Sequence, residues 1–230
     1  MARHERCRTA ALHGSGLARA RLARTSVSTV ESVIARIRSA IRPLNDVPVD
    51  LCQPAIQFAD LIPETLRPAA VLVPIVMRAG SLSLLLTRRT EALRQHAGQV
   101  SFPGGAIDCD DGDAITAALR ETWEETGIAR SFVEPIGYLD RLDTISAFSI
   151  TPVVAVVSEG FTIRPEPGEV AEVFEVPLEY VLYPGRMQSI PVVWRGKTRR
   201  VDEFHFENRR VWGATASILR NLIERMEAAK

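Results

Sequence analysis

The sequence predicts an α/β fold of the α+β kind, a mixed β-sheet sandwiched between α-helices. Three observations point there. Strand-sized apolar runs lie both before and after one central helix, helical apolar spacing recurs near both ends, and no internal repeat follows residue 27. Hydrophobic residues make up 46% of the 230-residue chain and charged residues 24%, enough to bury a sizeable core.

The elements follow in order. Residues 1–27 carry Arg3, Arg6, Arg8, Arg19, Arg21 and Arg24 with Glu5 the only acid, which reads as a disordered Arg-rich leader. Its composition resembles an organelle transit peptide, so organelle import stays open beside the cytoplasmic reading adopted here. Residues 28–68 form an N-terminal helix and an extended connection. Val30, Val33, Ile34, Ile37 and Ile41 recur at helical spacing over Thr29–Ile41, and Pro43–Pro68 holds five prolines. The main domain is expected over 69–230. It opens with a hairpin, Ala69–Met77 and Leu82–Thr87, joined by an Arg-Ala-Gly-Ser turn. A short strand at Val100–Phe102 leads through Pro103-Gly104-Gly105 to a helix over Asp113–Thr126, which Gly127 closes. Strands are expected at Phe132–Leu139 and Ser149–Val157. Glu169–Leu182 holds a helix turn and an extended piece around Pro177. Pro191–Trp194 and Arg199–Phe206 flank the turn at Arg195-Gly196-Lys197, and Ala214–Ala228 forms the last helix.

Charge and cysteine content exclude several function classes. The formal net charge is zero, which argues against a binder of bulk nucleic acid. Cys7, Cys52 and Cys109 are odd in number and far apart, fitting reduced thiols in the cytoplasm better than a disulfide framework or a zinc site. No apolar run is long enough to cross a bilayer, so no membrane partner is expected. A homodimer stays open.

The central helix carries the chemistry. At about 100° per residue, Glu121, Glu124 and Glu125 share one sector, with Ile115, Leu119, Thr122, Trp123 and Thr126 on a separate core face. Three neighbouring acids repel unless a cation lies between them, and a hard divalent ion does this while keeping positions for water and phosphate. Arg120 stands beside the cluster to orient one acid. A solvated acidic face is the ordinary alternative, but Gly104 and Gly105 deliver the chain where backbone can approach a ligand closely.

Arg120-Glu-Thr-Trp-Glu-Glu-Thr-Gly-Ile128 resembles the second half of the Nudix box, Arg-Glu-apolar-x-Glu-Glu-x-Gly-apolar. Thr122 stands where an apolar residue is usual, the spacing from Gly105 to Arg120 is one residue longer, and the upstream acid is Asp111 rather than Glu. Just upstream, Leu85-Leu-Thr-Arg-Arg89, Arg94, Gly98 and Phe102-Pro-Gly-Gly105 are similar to the motif marking the coenzyme A pyrophosphatase branch, with Thr90 in place of Ser or Ala. The resemblance spans about residues 69–219 and implies the Nudix fold. It also implies hydrolysis, dependent on Mg²⁺ or Mn²⁺, of the diphosphate bond of coenzyme A or a derivative, giving 3′,5′-ADP and 4′-phosphopantetheine. Carried onto these positions, Glu121 and Glu125 are metal ligands, with Glu124 a third ligand, and Glu121, Glu124 and Arg120 serve catalysis. Arg89, Arg94, His96, Gly104 and Gly105 would bind substrate. The general base is a box glutamate or an acid outside the box, Glu169 or Glu172. Two alternatives remain: a Nudix hydrolase of ADP-ribose, NADH or another nucleoside diphosphate derivative, and a non-catalytic ligand-binding Nudix module.

Overall fold

The computed structural model describes residues 29–49, 58–93 and 96–229. The leader expected over residues 1–27, part of the extended connection, and Arg94 lie outside the described residues. The first helix, α1, covers residues 29–40. It is followed by β1 (Arg67–Arg78) and β2 (Ser81–Arg89), the expected hairpin. Next come β3 (Val100–Ser101), β4 (Gly104–Ala106) and α2 (Ala114–Thr126). Strands β5 (Val133–Tyr138), β6 (Leu142–Asp143) and β7 (Phe148–Val157) then lead to β8 (Val170–Pro177) and the short α3 (Leu178–Leu182). The chain ends with β9 (Gln188–Trp194), β10 (Lys197–Phe206), β11 (Arg209–Trp212) and α4 (Ala214–Ala228).

The large sheet is mixed. Its main order is β3-β2-β1-β7-β5, with β4 on β1, β6 on β7 and β8 on β2; β9, β10 and β11 form a separate antiparallel sheet. Only β1 and β7 run parallel among these pairs, which the long connection through α2 permits. β1 and β2 read as nearly continuous apolar runs because both faces are covered. Val73, Ile75, Leu84 and Leu86 face α1, α4 and the small sheet, whereas Ala70, Leu72, Val76 and Leu85 face α2.

One local feature of this sheet builds the site. β1 and β2 pair over Ile75–Arg78 and Ser81–Leu84, then part. Residues 100–106 fill the split: Ser101 pairs with Thr87 of β2, and Gly104 with Val71 of β1. The backbone N–H of Leu72 donates to the Pro103 carbonyl at 2.9 Å. The two glycines therefore enter the sheet as strand residues directly before α2.

Between Glu169 and Leu182 the order is extended first, then helical. Glu169 and Glu172 flank the start of β8 rather than a solvated helix start, and Pro177 precedes the helical turn, where its fixed φ is compatible with helix entry.

Candidate active site

α2 starts at Asp113, whose carboxylate accepts from the Thr116 N–H at 2.7 Å. It stops at Gly127, left-handed with φ of 74° and donating its N–H to the Trp123 carbonyl. Its buried residues are the small Ala114, Ala117 and Ala118, together with Leu119, Thr122, Glu125 and Thr126. The two threonines lose their polarity to the helix itself: Thr122 donates to the Ala118 carbonyl at 2.6 Å and Thr126 to the Thr122 carbonyl at 2.5 Å. Thr thus fills an apolar position without leaving a buried hydroxyl unpaired.

This arrangement corrects one expectation. The acidic sector and the buried sector overlap, so Glu121 and Glu125 point towards the sheet rather than away from it. Trp123, expected on the core face, is 58% exposed. It lines a shallow groove of about 320 Å³ with Leu119 and Arg130, because the sheet covers only the alanine-lined arc of the helix.

Glu121 and Glu125 meet the glycine segment closely. A Cβ at Gly105 would stand 2.5 Å from Glu121 Oε1, so only glycine lets that carboxylate settle on the backbone. The Gly104 backbone N–H pulls the Glu125 carboxyl down slightly. Glu125 is almost wholly buried, with Oε1 3.7 Å from Arg89 Nη1 and Oε2 without a hydrogen-bond partner among the described residues. Burial first, then the charges of Glu121 and Glu169, push its carboxyl up to about 8 against the pull of Arg89. Glu121 is also raised, by burial and by Glu124 and Glu169, although Arg120 opposes this.

Arg120 binds both carboxylates at the outer side of the cluster. Its Nη1 donates to Glu121 Oε1 at 2.9 Å and to Glu124 Oε2 at 3.0 Å. Nε and Nη2 hold Asp111 in a two-pronged pair at 2.8 Å each, and Nη2 also reaches the Ala106 carbonyl. The guanidinium holds the buried Asp111 carboxyl down at about 2. Asp111, the acid that departs from the box, thus anchors Arg120.

The structure separates the remaining sequence-derived residues. Glu169 lies close enough to load both Glu121 and Glu125 electrostatically. Glu172 does not join them: it is held by Arg88 at 3.2 Å and Arg209 at 2.5 Å, and its carboxyl is lowered first by Arg209. That ion pairing removes Glu172 from the candidates for a base at this cluster. His96 bonds Gln99 and is exposed. Gly98, with φ of 68°, leaves room for Glu91, whose carboxylate would be 2.3 Å from a Cβ there.

The same alternation reveals residues that the sequence reading missed. Neighbouring strand positions face opposite sides, so Arg89 points to Glu125 while Arg88 points to Glu172 across the sheet. There Arg88 lines a cleft of about 700 Å³ with Arg209, Arg210 and Trp212. The Arg88-Arg89 doublet was the available signal, and the β2–β8 register shifts between these two residues.

Residues 66–193, more than half of the chain, match the family model of the NUDIX domain. The chain belongs to the Nudix family. Relatives named uncharacterized Nudix hydrolase NudL, from Citrobacter koseri and from Escherichia coli K12, are 47% identical over 156 residues, covering 68% of this chain and 81% of each relative. Among solved structures, the MutT protein from Methanosarcina mazei Go1 matches 72% of this chain and 96% of its own, at 20% identity and a TM-score of 0.45. This Nudix hydrolase is accordingly a pyrophosphohydrolase with the mixed-sheet Nudix fold, and its family acts on nucleoside diphosphate derivatives.

Nudix hydrolases generally need divalent metal ions. Among the described residues no three carboxylate, imidazole or thiol side chains stand ready-made around one point. Arg120 instead draws Glu121 and Glu124 outward, while Glu125 keeps an unpartnered buried oxygen beside them. An orphaned buried carboxylate oxygen in a raised-pKa pair has the donor chemistry a hard cation takes, so the Nudix residues fit a divalent ion. No described helix is long and apolar enough to cross a membrane, and the two named relatives are bacterial.

Proposed function

We propose that this chain hydrolyses the diphosphate bond of coenzyme A or a close derivative, releasing 3′,5′-ADP and 4′-phosphopantetheine, with Mg²⁺ or Mn²⁺ as cofactor in the cytoplasm. The observation that carries the reading is the buried, unpartnered Oε2 of Glu125 beside Glu121 at the Gly104-Gly105 segment. The coenzyme A branch is supported by Arg89, Gly98 and Phe102-Pro-Gly-Gly105 in the motif's register.

Glu121 and Glu125 would hold the cation, with Glu124 as a third ligand. A bound divalent ion neutralises diphosphate oxygens and lowers the pKa of an attacking water. Arg89 balances charge at Glu125 and offers remaining donors to the phosphates. Glu169 takes the proton of the attacking water as its oxygen bonds phosphorus. The bridging P–O bond breaks and its electron pair leaves with the departing phosphate. Arg120, anchored by Asp111, holds Glu121 and Glu124 in register and compensates their charge.

The test is a substrate panel of coenzyme A, ADP-ribose and NADH with Mg²⁺ or Mn²⁺, products identified by mass. Release of 3′,5′-ADP from coenzyme A at the highest kcat/KM is the expected result. Preference for ADP-ribose or NADH would replace the substrate. Binding without turnover of any diphosphate would instead indicate a ligand-binding module.

A further inference from the structure

The 700 Å³ cleft on the opposite face of β2 from Glu125 has no part in the chemistry above, yet arginines line its walls. Its charged lining is Arg88, Arg209 and Arg210 against Glu172 alone. Glu172 joins Arg88 and Arg209, and Glu207 and Glu203 hold Arg209 and Arg210 from outside the cleft lining. Both outer guanidinium groups are braced by aromatic faces: Arg209 lies 4.5 Å from the Phe174 ring and Arg210 5.0 Å from the Trp212 ring.

These arginines come from two strands, Arg88 from β2 and Arg209 and Arg210 from β11, and converge on one opening beside Gly98 and Asn208. Each guanidinium has five N–H donors, more than the neighbouring carboxylates take. Arg209 Nε is buried with no acceptor among the described residues, and the Arg210 side chain is 47% exposed. Braced planar forks with donors to spare suit a tetrahedral dianion better than a single carboxylate. Arg88 and Arg89 are adjacent at the end of β2, so the cleft begins one residue along the strand from the arginine beside Glu125.

We infer that the Arg88–Arg209–Arg210 cleft is a second anion subsite. It takes a phosphomonoester on the nucleoside half of the substrate and selects 3′-phosphorylated diphosphates over those lacking that group. This rests on the coenzyme A reading above and names the residues that would separate coenzyme A from ADP-ribose.

Calorimetry on the full chain tests it with adenosine 3′,5′-bisphosphate and 5′-AMP as probes. Wild type is expected to bind the bisphosphate at least about tenfold more tightly, the scale of one charge-assisted contact. Arg88→Gln and Arg210→Gln should each bring that preference towards unity. The half-exposed Arg210 supplies the variant least able to disturb folding, and melting curves check both. No preference in wild type, or a preference surviving both substitutions, overturns the subsite. A parallel readout is the ratio of kcat/KM for coenzyme A over dephospho-coenzyme A. If coenzyme A is hydrolysed and the ratio is unmoved by either variant, the subsite falls and the hydrolase reading stands. If coenzyme A is not hydrolysed but the arginine-dependent binding preference persists, the subsite stands and the hydrolase reading falls.

Discussion

Glu125 shows how one residue can be costly to the fold and useful to the site. Its side chain is 4% exposed, and burial, aided by Glu121 and Glu169, pushes the carboxyl from an ordinary 4.5 up to about 8. A folded-state value above the unfolded one means that the metal-free protein binds the extra proton when folded. The stability this contributes is fully present below about 4.5 and is lost as pH rises through about 8. Within that window the loss approaches about 1.4 kcal/mol per pH unit. Glu125→Gln does not titrate. In chelator it should therefore melt above wild type at pH 8, with the gap closing near pH 5. Mg²⁺ should raise the wild-type melting temperature and leave the variant unmoved. Hydrolysis should drop by at least about a hundredfold, beyond the roughly 10–100-fold that partners outside a metal's own ligands control. Thermal melts at both pH values check this; a variant less stable than wild type at pH 8 in chelator would refute it.

At the scale of elements, the site depends on how closely α2 lies on the sheet. Ala117 and Ala118 are fully buried between the helix and β1, and this thin layer lets Glu121 reach Gly105. Ala118→Leu should cost about 1–3 kcal/mol through overpacking. It should also lift the helix, and a misplacement near 1 Å costs activity on the order of a hundredfold. The check is a melt beside a kcat measurement. A stable variant with full activity would show that the alanine layer does not set the position of the carboxylates. The helix and its ends were legible from Asp113, the spacing of the acids and Gly127, since capping and periodicity are local properties. The side of α2 that meets the sheet was not legible. Alanine gives a weak apolar signal, and Trp123 gives a strong one that points outwards. Arg209 and Arg210 were missed for a different reason: the strand that carries them, β11, is four residues long and takes its position from β10. Only the fold brings them to Arg88.

For the whole molecule, the α1 and α4 layer is tied to the sheet through Asp140, beyond the end of β5. Arg42, just after α1, donates to its Oδ1 at 3.1 Å; from α4, Arg225 Nη2 reaches Oδ1 at 2.8 Å and Asn221 donates to Oδ2 at 2.8 Å. Arg225 also donates to the Ala40 carbonyl at the end of α1, so the two helices share one anchor. Burial alone would raise the Asp140 carboxyl, but hydrogen bonds from Arg225, Asn221 and Arg42 outweigh it and hold the group below its ordinary 3.8. A lowered folded value contributes stability above the unfolded pKa, and this is lost as pH falls through the folded one. Asp140→Asn should therefore destabilise the protein at neutral pH by about 2 kcal/mol, less than the roughly 3–5 kcal/mol of a fully buried pair because the group is partly exposed. For a chain of this size that is about 4–8 °C in Tm. The deficit should shrink below about pH 4, where wild type loses the same charge. Because α2 and its carboxylates pack on the other face, kcat at temperatures well below melting should stay near the wild-type value. A variant that lost kcat while still folded would mean that the two faces of the sheet are mechanically coupled and that the α1–α4 anchor helps to set the site.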